Sequence, residues 1–500
     1  MIRTDHIFKK CVIARYEAIS FVKSFVLVLL CIISFSANAK ILLPQILSST
    51  MVLQRNEPIH IWGFGAIGEK VSVNFSGQTI TTITNQSGEW QVILSPLKTS
   101  AVGQNMTIIG SNKIVLKDIL VGEVWLCSGQ SNMEYQMRKL IKIPTPKNVA
   151  LGFPKEEVAN AKNTKIRIFL VNRKTLIKPD SIHQSWSVAQ DSALRAFSVV
   201  GYFFAKELQQ QLGIPIGIIC SSVSGSAIEP WIARESLQKE PYFKAQKLSN
   251  DPGKFYTPMI EPLTKFKVRG FLWYQGETNC FLDEKISYAY KMKALINLWR
   301  SAWGGGDKMP FYLVQIAPFN YAKAKGEKVL NADTEPEFWE AQALQLKLPN
   351  TGIVVTTDLN DNGEDLHPTY KWEVGRRLAL WALARDYQRK VVYSGPIYKA
   401  VSFKNGQAKL TFNHTTAGLK TNDGKALTGF TIAGNDGNFV PAVAEIVGNE
   451  VIVSAKEVIE PTAVRFNWAE APNGNLVGGT GLPALPFRTD NLLVHQFKNN

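Results

Sequence analysis

Residues 119–132 read ILVGEVWLCSGQSN, and the organisation of the chain turns on them. Ile119–Cys127 is a mostly apolar run that ends in small and polar residues, the pattern of a strand buried on both faces of a sheet. From this point to about residue 390, strand-like and helix-like stretches alternate. Phe197–Leu212 places Phe197, Val200, Phe204 and Leu208 at helical spacing, and Gly213 closes it. Ile214–Cys220, Gly270–Tyr274, Phe311–Ile316 and Gly352–Thr357 read as strands, and Tyr370–Tyr387 as a helix. Alternating units of this kind predict a mainly parallel sheet covered on both faces, with ligands at the carboxyl ends of its strands.

On either side of this region the periodicity is that of β structure. Before it lie IHIWGF (59–64), KVSVNF (70–75), TITTIT (79–84) and EWQVIL (89–94), separated by turns such as Gly65-Ala66-Ile67-Gly68 and Ser87-Gly88. After it lie KLTFNH (409–414), GFTIAG (429–434), VIVSA (451–455) and AVRFNW (463–468), with Asn/Gly/Asp turns between them. The expected organisation is an N-terminal β module over 40–118, an α/β domain over 119–390 and a C-terminal β module over 391–500. Both outer modules read as sandwich-like.

Five hundred residues are too many for one compact domain, and 45% hydrophobic with 19% charged is a globular balance. The formal net charge of +15 suits acidic partners such as an anionic glycan. With no run of five Lys/Arg and no basic stripe interleaved with aromatics, it does not describe a nucleic-acid binder. Lys9, Lys10, Arg15 and Lys23 precede a short apolar run, FVLVLLCIISF (25–35), and then Ala37-Asn38-Ala39. This order reads as a secretory signal over 1–39 cut after Ala39, giving a periplasmic or secreted protein. The run is short for a bilayer span, and bulky Leu30 disfavours lipid attachment at Cys31. No later stretch is long enough for a transmembrane helix, so the mature chain is expected to lack an integral membrane segment. Beyond the signal only Cys127, Cys220 and Cys280 remain. Three is an odd number, and no Cys/His cluster suggests a metal.

Of the remaining histidines, His60 and His414 lie in the β modules, His495 in the tail and His183 in a polar connection. His367 differs, since it follows Glu364-Asp365-Leu366 after a strand and precedes a helix. Neighbouring carboxylates suit a base that must be oriented; the alternative is a surface turn that merely carries acidic residues. Ser131 closely follows a strand with a helix behind it, which would place Oγ at the mouth of the sheet. The alternative is an N-cap serine. Met133 rules out the GxSxG elbow. Two more loops follow strand ends, Ser221–Ser226 and Gln275–Asn279. A glycine such as Gly225 can offer a backbone N–H, and Gln275 or Asn279 a side-chain amide, to an oxyanion.

Several stretches together carry a family likeness. They are MVLQR (51–55), VWLCSGQSNME (124–134), PIGIICSS (215–222), IEPW (228–231), WYQGETN (273–279), HPTYKWEVGRRLA (367–379) and GLPALPFRTD (481–490). From about 42 to about 490 the chain resembles the sialate O-acetylesterase-like proteins of the SGNH-hydrolase superfamily. The resemblance implies a flavodoxin-like parallel sheet and a Ser-His hydrolase with Ser131 as nucleophile and His367 as base. It also implies an oxyanion hole from the N–H of Ser131, the N–H of Gly225 and the side chain of Gln275. In the superfamily an Asp commonly precedes the His by three positions; here that position is Glu364, and Asp365 is two before. Some relatives use the Glu of the QGE motif, here Glu277. Asp365 is preferred as third member, with Glu277 second.

Two positions depart from the family pattern. Val223-Ser224-Gly225 stands where many relatives have Trp-Gly-Gly, and Thr257-Pro258 where they often have Asn-Gly. Both bear on substrate choice. The expected activity is removal of acetyl groups from O-acetylated sugars, with neither metal nor organic cofactor. The competing readings are a weakly active glycan-binding or scaffold protein, and a lipid or thioester hydrolase of the same superfamily.

Overall fold

The computed structural model describes residues 40–171, 185–326, 328–361 and 363–498. The expected signal over 1–39, and His183, lie outside the described residues.

The strand Lys113–Gly129 is the spine of an 11-stranded sheet. Its second half runs parallel to Ile216–Ser222 on one side and to Gly270–Tyr274 on the other. The order across this part is Thr351–Val354, Phe311–Val314, Gly270–Tyr274, Lys113–Gly129, Ile216–Ser222, Ile166–Leu170, Ser187–Val188. Every neighbouring pair is parallel except the last.

Side-chain alternation explains why these strands read as continuous apolar runs. Val124, Leu126, Phe271, Trp273, Phe311 and Leu313 point into one core, shared with the helix Ile286–Ala302. Trp125, Cys127, Leu272, Tyr274, Tyr312 and Val314 point into the other, shared with the helices Val199–Leu212 and Lys371–Arg385. Both faces are covered, so both sets of alternating positions must be apolar.

The helix Val199–Leu212 starts two residues after the expected Phe197, because Ser198 caps it by accepting from Gly201 N at 3.1 Å. Gly213 ends it in the left-handed conformation, at φ 71°. It packs closely on Lys371–Arg385 at Gly375, where a Cβ would lie 2.6 Å from Val200 O.

The four expected N-terminal strands appear within one residue of their predicted ends, as Ile59–Phe64, Lys70–Phe75, Gln78–Ile83 and Glu89–Leu94. The boundary expected at 119 falls inside the spine strand. Burial there switches from alternating to continuous, while the backbone carries on without a break. MVLQR sits beside this crossing point: Val52–Gln54 pairs parallel with Leu120–Gly122, and Gln54 and Arg55 both bond Glu123. That stretch therefore braces the middle of the spine, away from the loops that follow its carboxyl end.

The C-terminal region forms antiparallel sheets around a core of its own that includes Leu410, Ile432, Val453, Val464 and Phe466. Arg488, from the GLPALPFRTD stretch, ties it back by contacts to Glu337 at 3.1 Å and Glu340 at 3.0 Å. Among the described residues, no helix is long and apolar enough to cross a membrane.

Candidate active site

The spine strand ends at Gly129, whose φ is 141°. A Cβ there would lie 2.0 Å from Tyr274 O, so only glycine lets the two strand ends approach this closely. Gln130 then fastens them together. Its N–H donates to Tyr274 O at 3.0 Å, and its Oε1 accepts from Gly276 N at 3.2 Å. A single helical turn, Ser131–Glu134, follows.

Gln130, not Ser131, occupies the capping position of that turn. The Ser131 hydroxyl instead meets His367 Nε2 at 2.8 Å. This geometry decides against the capping alternative for Ser131. The helix behind the serine spans only four residues, so its end contributes the dipole of one turn and no more.

His367 lies in the loop between Thr351–Val354 and Lys371–Arg385. Its backbone N–H donates to Asp365 Oδ1 at 2.8 Å. Burial holds the imidazole pKa below its ordinary 6.5; Lys371 and Lys139 add to this, and Asp365 opposes it. The ring is therefore neutral near pH 7 and able to accept a proton. For Ser131 to donate to Nε2, that ring carries its own proton on Nδ1.

Asn132, next to Ser131, is fully buried. Its amide nitrogen donates to Glu277 and, at 3.0 Å, to Leu366 O. Glu277 is buried as well, and burial raises its pKa. Lys371 is buried beside them, donates to Pro368 O, and lies 5.5 Å from the centres of both the Tyr135 and Tyr274 rings. The sequence reading gave no role to Asn132 or Lys371. Both lie inside quoted motifs, but their partners lie in other loops, which spacing does not reveal.

The remaining predicted donors fall in two places. Gly225 is exposed at φ 72°, with open space where a Cβ would be. Just before it, Ser224 donates from both N and Oγ to Glu134 Oε2, at 2.8 and 2.6 Å, which pins this loop to the turn Ser131–Glu134. Gln275, by contrast, is fully buried in the wall. Its amide donates to Ser226 O at 3.2 Å and Asn279 Oδ1 at 2.7 Å, and its Oε1 accepts from Tyr288 OH at 3.0 Å. Asn279 is engaged too, accepting from Ile228 N and donating to Glu229. In this arrangement both amides support the loop that carries Gly225.

The other described histidines lie elsewhere. His60 bonds Gln91, His414 packs on Trp381 and Tyr393, and His495 is in the turn Leu493–Gln496. Cys127, Cys220 and Cys280 are buried, and none forms a disulfide among the described residues. The described residues contain no cluster of His, Cys, Asp and Glu that could hold a metal ion.

A family model described as carbohydrate esterase, sialic acid-specific acetylesterase, matches residues 121–384, a segment holding every residue of this site. The chain belongs to that family. Full-length relatives agree with this membership. Sialate O-acetylesterase of Homo sapiens is 28% identical over 475 residues, covering 85% of this chain and 87% of its own. The Rattus norvegicus protein of the same name is 27% identical over 493 residues, covering 84% and 88%. A carbohydrate acetylesterase from Xanthomonas citri, known from a crystal structure, is 36% identical with a TM-score of 0.79, covering 90% of this chain and 100% of its own. This member of the family is thus an acetylesterase, a hydrolase with a mixed α/β fold.

Proposed function

We propose that the chain is an exported enzyme that hydrolyses acetyl esters on sugars, with Ser131 as nucleophile, His367 as general base and Asp365 as the supporting acid. The 2.8 Å contact between Ser131 Oγ and His367 Nε2 carries this reading. The parallel sheet is read as the flavodoxin-like core of an SGNH hydrolase, flanked by β modules over 40–118 and 391–500. Residues 1–39 are read as the export signal. Asp365 is preferred to Glu277 because its charge acts on His367 and its carboxylate bonds the His367 main chain, whereas Glu277 bonds Asn132.

In this mechanism Ser131 Oγ attacks the acetyl carbonyl while His367 Nε2 takes its proton. The tetrahedral oxyanion forms beside the N–H groups of Ser131 and Gly225. Gln275 can add a third donor by releasing Ser226 O, the longer of its two bonds. His367 then returns the proton to the departing sugar oxygen, leaving acetyl-Ser131. Water, deprotonated by the same histidine, attacks the acyl carbonyl and releases acetate. No step calls for a metal or organic cofactor. The O-acetylated substrate class follows from the relatives, which are named as sialate and carbohydrate acetylesterases.

The test is acetate release from p-nitrophenyl acetate and from O-acetylated sialic acid by the mature protein and by Ser131→Ala. The expected loss in the variant is about 10³-fold or more. Activity on the aryl ester alone keeps the mechanism and moves the substrate to other acetylated glycans. A preference for long acyl chains would indicate a lipid or thioester hydrolase. Absence of Ser131-dependent turnover on both substrates would reject the esterase mechanism in favour of a glycan-binding role.

A further inference from the structure

The loop that carries His367 is anchored at main-chain groups of three consecutive residues. Leu366 O accepts from Asn132 Nδ2 at 3.0 Å, His367 N donates to Asp365 Oδ1 at 2.8 Å, and Pro368 O accepts from Lys371 Nζ. Two of the three anchors are buried side chains from outside the loop itself, Asn132 at 0% and Lys371 at 1% exposure.

Each is expensive to bury, and each is held in place. Asn132 sits in the turn of the nucleophile, and its second amide hydrogen goes to buried Glu277. Lys371 opens the helix Lys371–Arg385, with its Nζ 5.5 Å from the ring centres of both Tyr135 and Tyr274. A lysine is seldom buried without a partner that fixes it. Its hydrogen bond here goes to a main-chain carbonyl one residue beyond the histidine.

We infer that Asn132 and Lys371 are positioning residues that clamp the main chain on both sides of His367 and so set its distance from Ser131. The inference rests on the reading of His367 as general base. Asn132 makes nucleophile and base share one anchor, so the two move together. Lys371 fixes the other side, and its N–H donates whether or not it is charged. That independence matters, because burial brings its pKa down to about 7, against the opposing pull of Glu277 and Asp365. The charged groups acting on His367 itself are Lys371, Asp365 and Lys139.

The experiment compares kcat, KM and the pH profile for p-nitrophenyl acetate in the wild type, Ser131→Ala, Lys371→Met and Asn132→Ala, with thermal melts of each. Both clamp variants are expected to lose about 10- to 100-fold in kcat with KM little changed, as for a misplaced catalytic group. In Lys371→Met the acid limb of kcat/KM also moves to higher pH, because a cation that lowers the His367 pKa is gone. In Asn132→Ala, a neutral-to-neutral change, the limb stays in place. A folded variant of either kind with wild-type kcat would overturn the clamp. Should Lys371→Met fail to fold, Asn132→Ala decides alone. Wild-type turnover that survives Ser131→Ala marks a failure of the nucleophile–base reading instead, and the clamp falls with it.

Discussion

Ser131 and His367 are 236 residues apart in sequence, and Oγ lies 2.8 Å from Nε2. The strand order explains why this meeting needs support. Ser131 follows the central strand Lys113–Gly129, and His367 follows Thr351–Val354, which lies beyond both Gly270–Tyr274 and Phe311–Val314. The loop bearing His367 must therefore reach back past two strand ends. Its bonds to Asn132 and Lys371 are made where it arrives.

In the proposed mechanism the pH dependence follows from the environment of His367. Only neutral His367 can accept the serine proton, and burial with Lys371 and Lys139 holds its pKa below 6.5. Activity is then full above that range and falls as pH drops through the lowered pKa. A profile of kcat/KM between about pH 4 and 8 is expected to show its acid limb below the ordinary histidine value. A limb above 6.5 would contradict the electrostatics derived for the site.

Asp365 and Glu277 are separable by substitution. Asp365→Asn removes the charge that stabilises the imidazolium and is expected to lower kcat by about 10- to 100-fold, with the acid limb moving to lower pH. Glu277→Gln keeps an oxygen that can accept from Asn132, so its effect on kcat is expected to be smaller. Steady-state kinetics of both variants check this. The reverse ranking would assign the acid role to Glu277.

Gly129 is a second point of leverage, acting through geometry alone. In Gly129→Ala the new Cβ would meet Tyr274 O at 2.0 Å, at a φ of 141° that side chains rarely adopt. The strand ends must separate, at a cost on the order of 1–3 kcal/mol. Thermal melts should show the destabilisation, and the displaced Ser131 should lower kcat. A variant with wild-type melting and activity would show that the close approach is dispensable.

The alternation of strands and helices and the N-terminal strands were legible because each rests on a local signal, and Ser131 and His367 stood out as candidates by their place after strand ends. A strand buried on both faces must be apolar throughout, and Gly270–Tyr274 appears with its expected ends. Elements without so clear a pattern escaped, among them Ile166–Leu170, Ile286–Ala302 and Ile397–Lys404. Eleven of the seventeen residues of Ile286–Ala302 are buried, Lys291, Lys293 and Arg300 among them, and these buried charged residues blur its periodicity. The break expected at 119 is a change of surroundings along one strand, which composition marks but backbone geometry does not.

What the sequence determined alone is the covering of the sheet and the presence of polar loops at its strand ends, because hydrophobic period and turn chemistry act over a few residues. Only the tertiary structure decided which of those polar groups meet. It brought His367 to Ser131 and engaged the Gln275 amide in the wall. It also drew Asn132 and Lys371 onto the loop of His367. Such pairings depend on strand order and on loops that cross neighbouring strands, and a side chain's partner hundreds of residues away leaves no mark on the residues beside it.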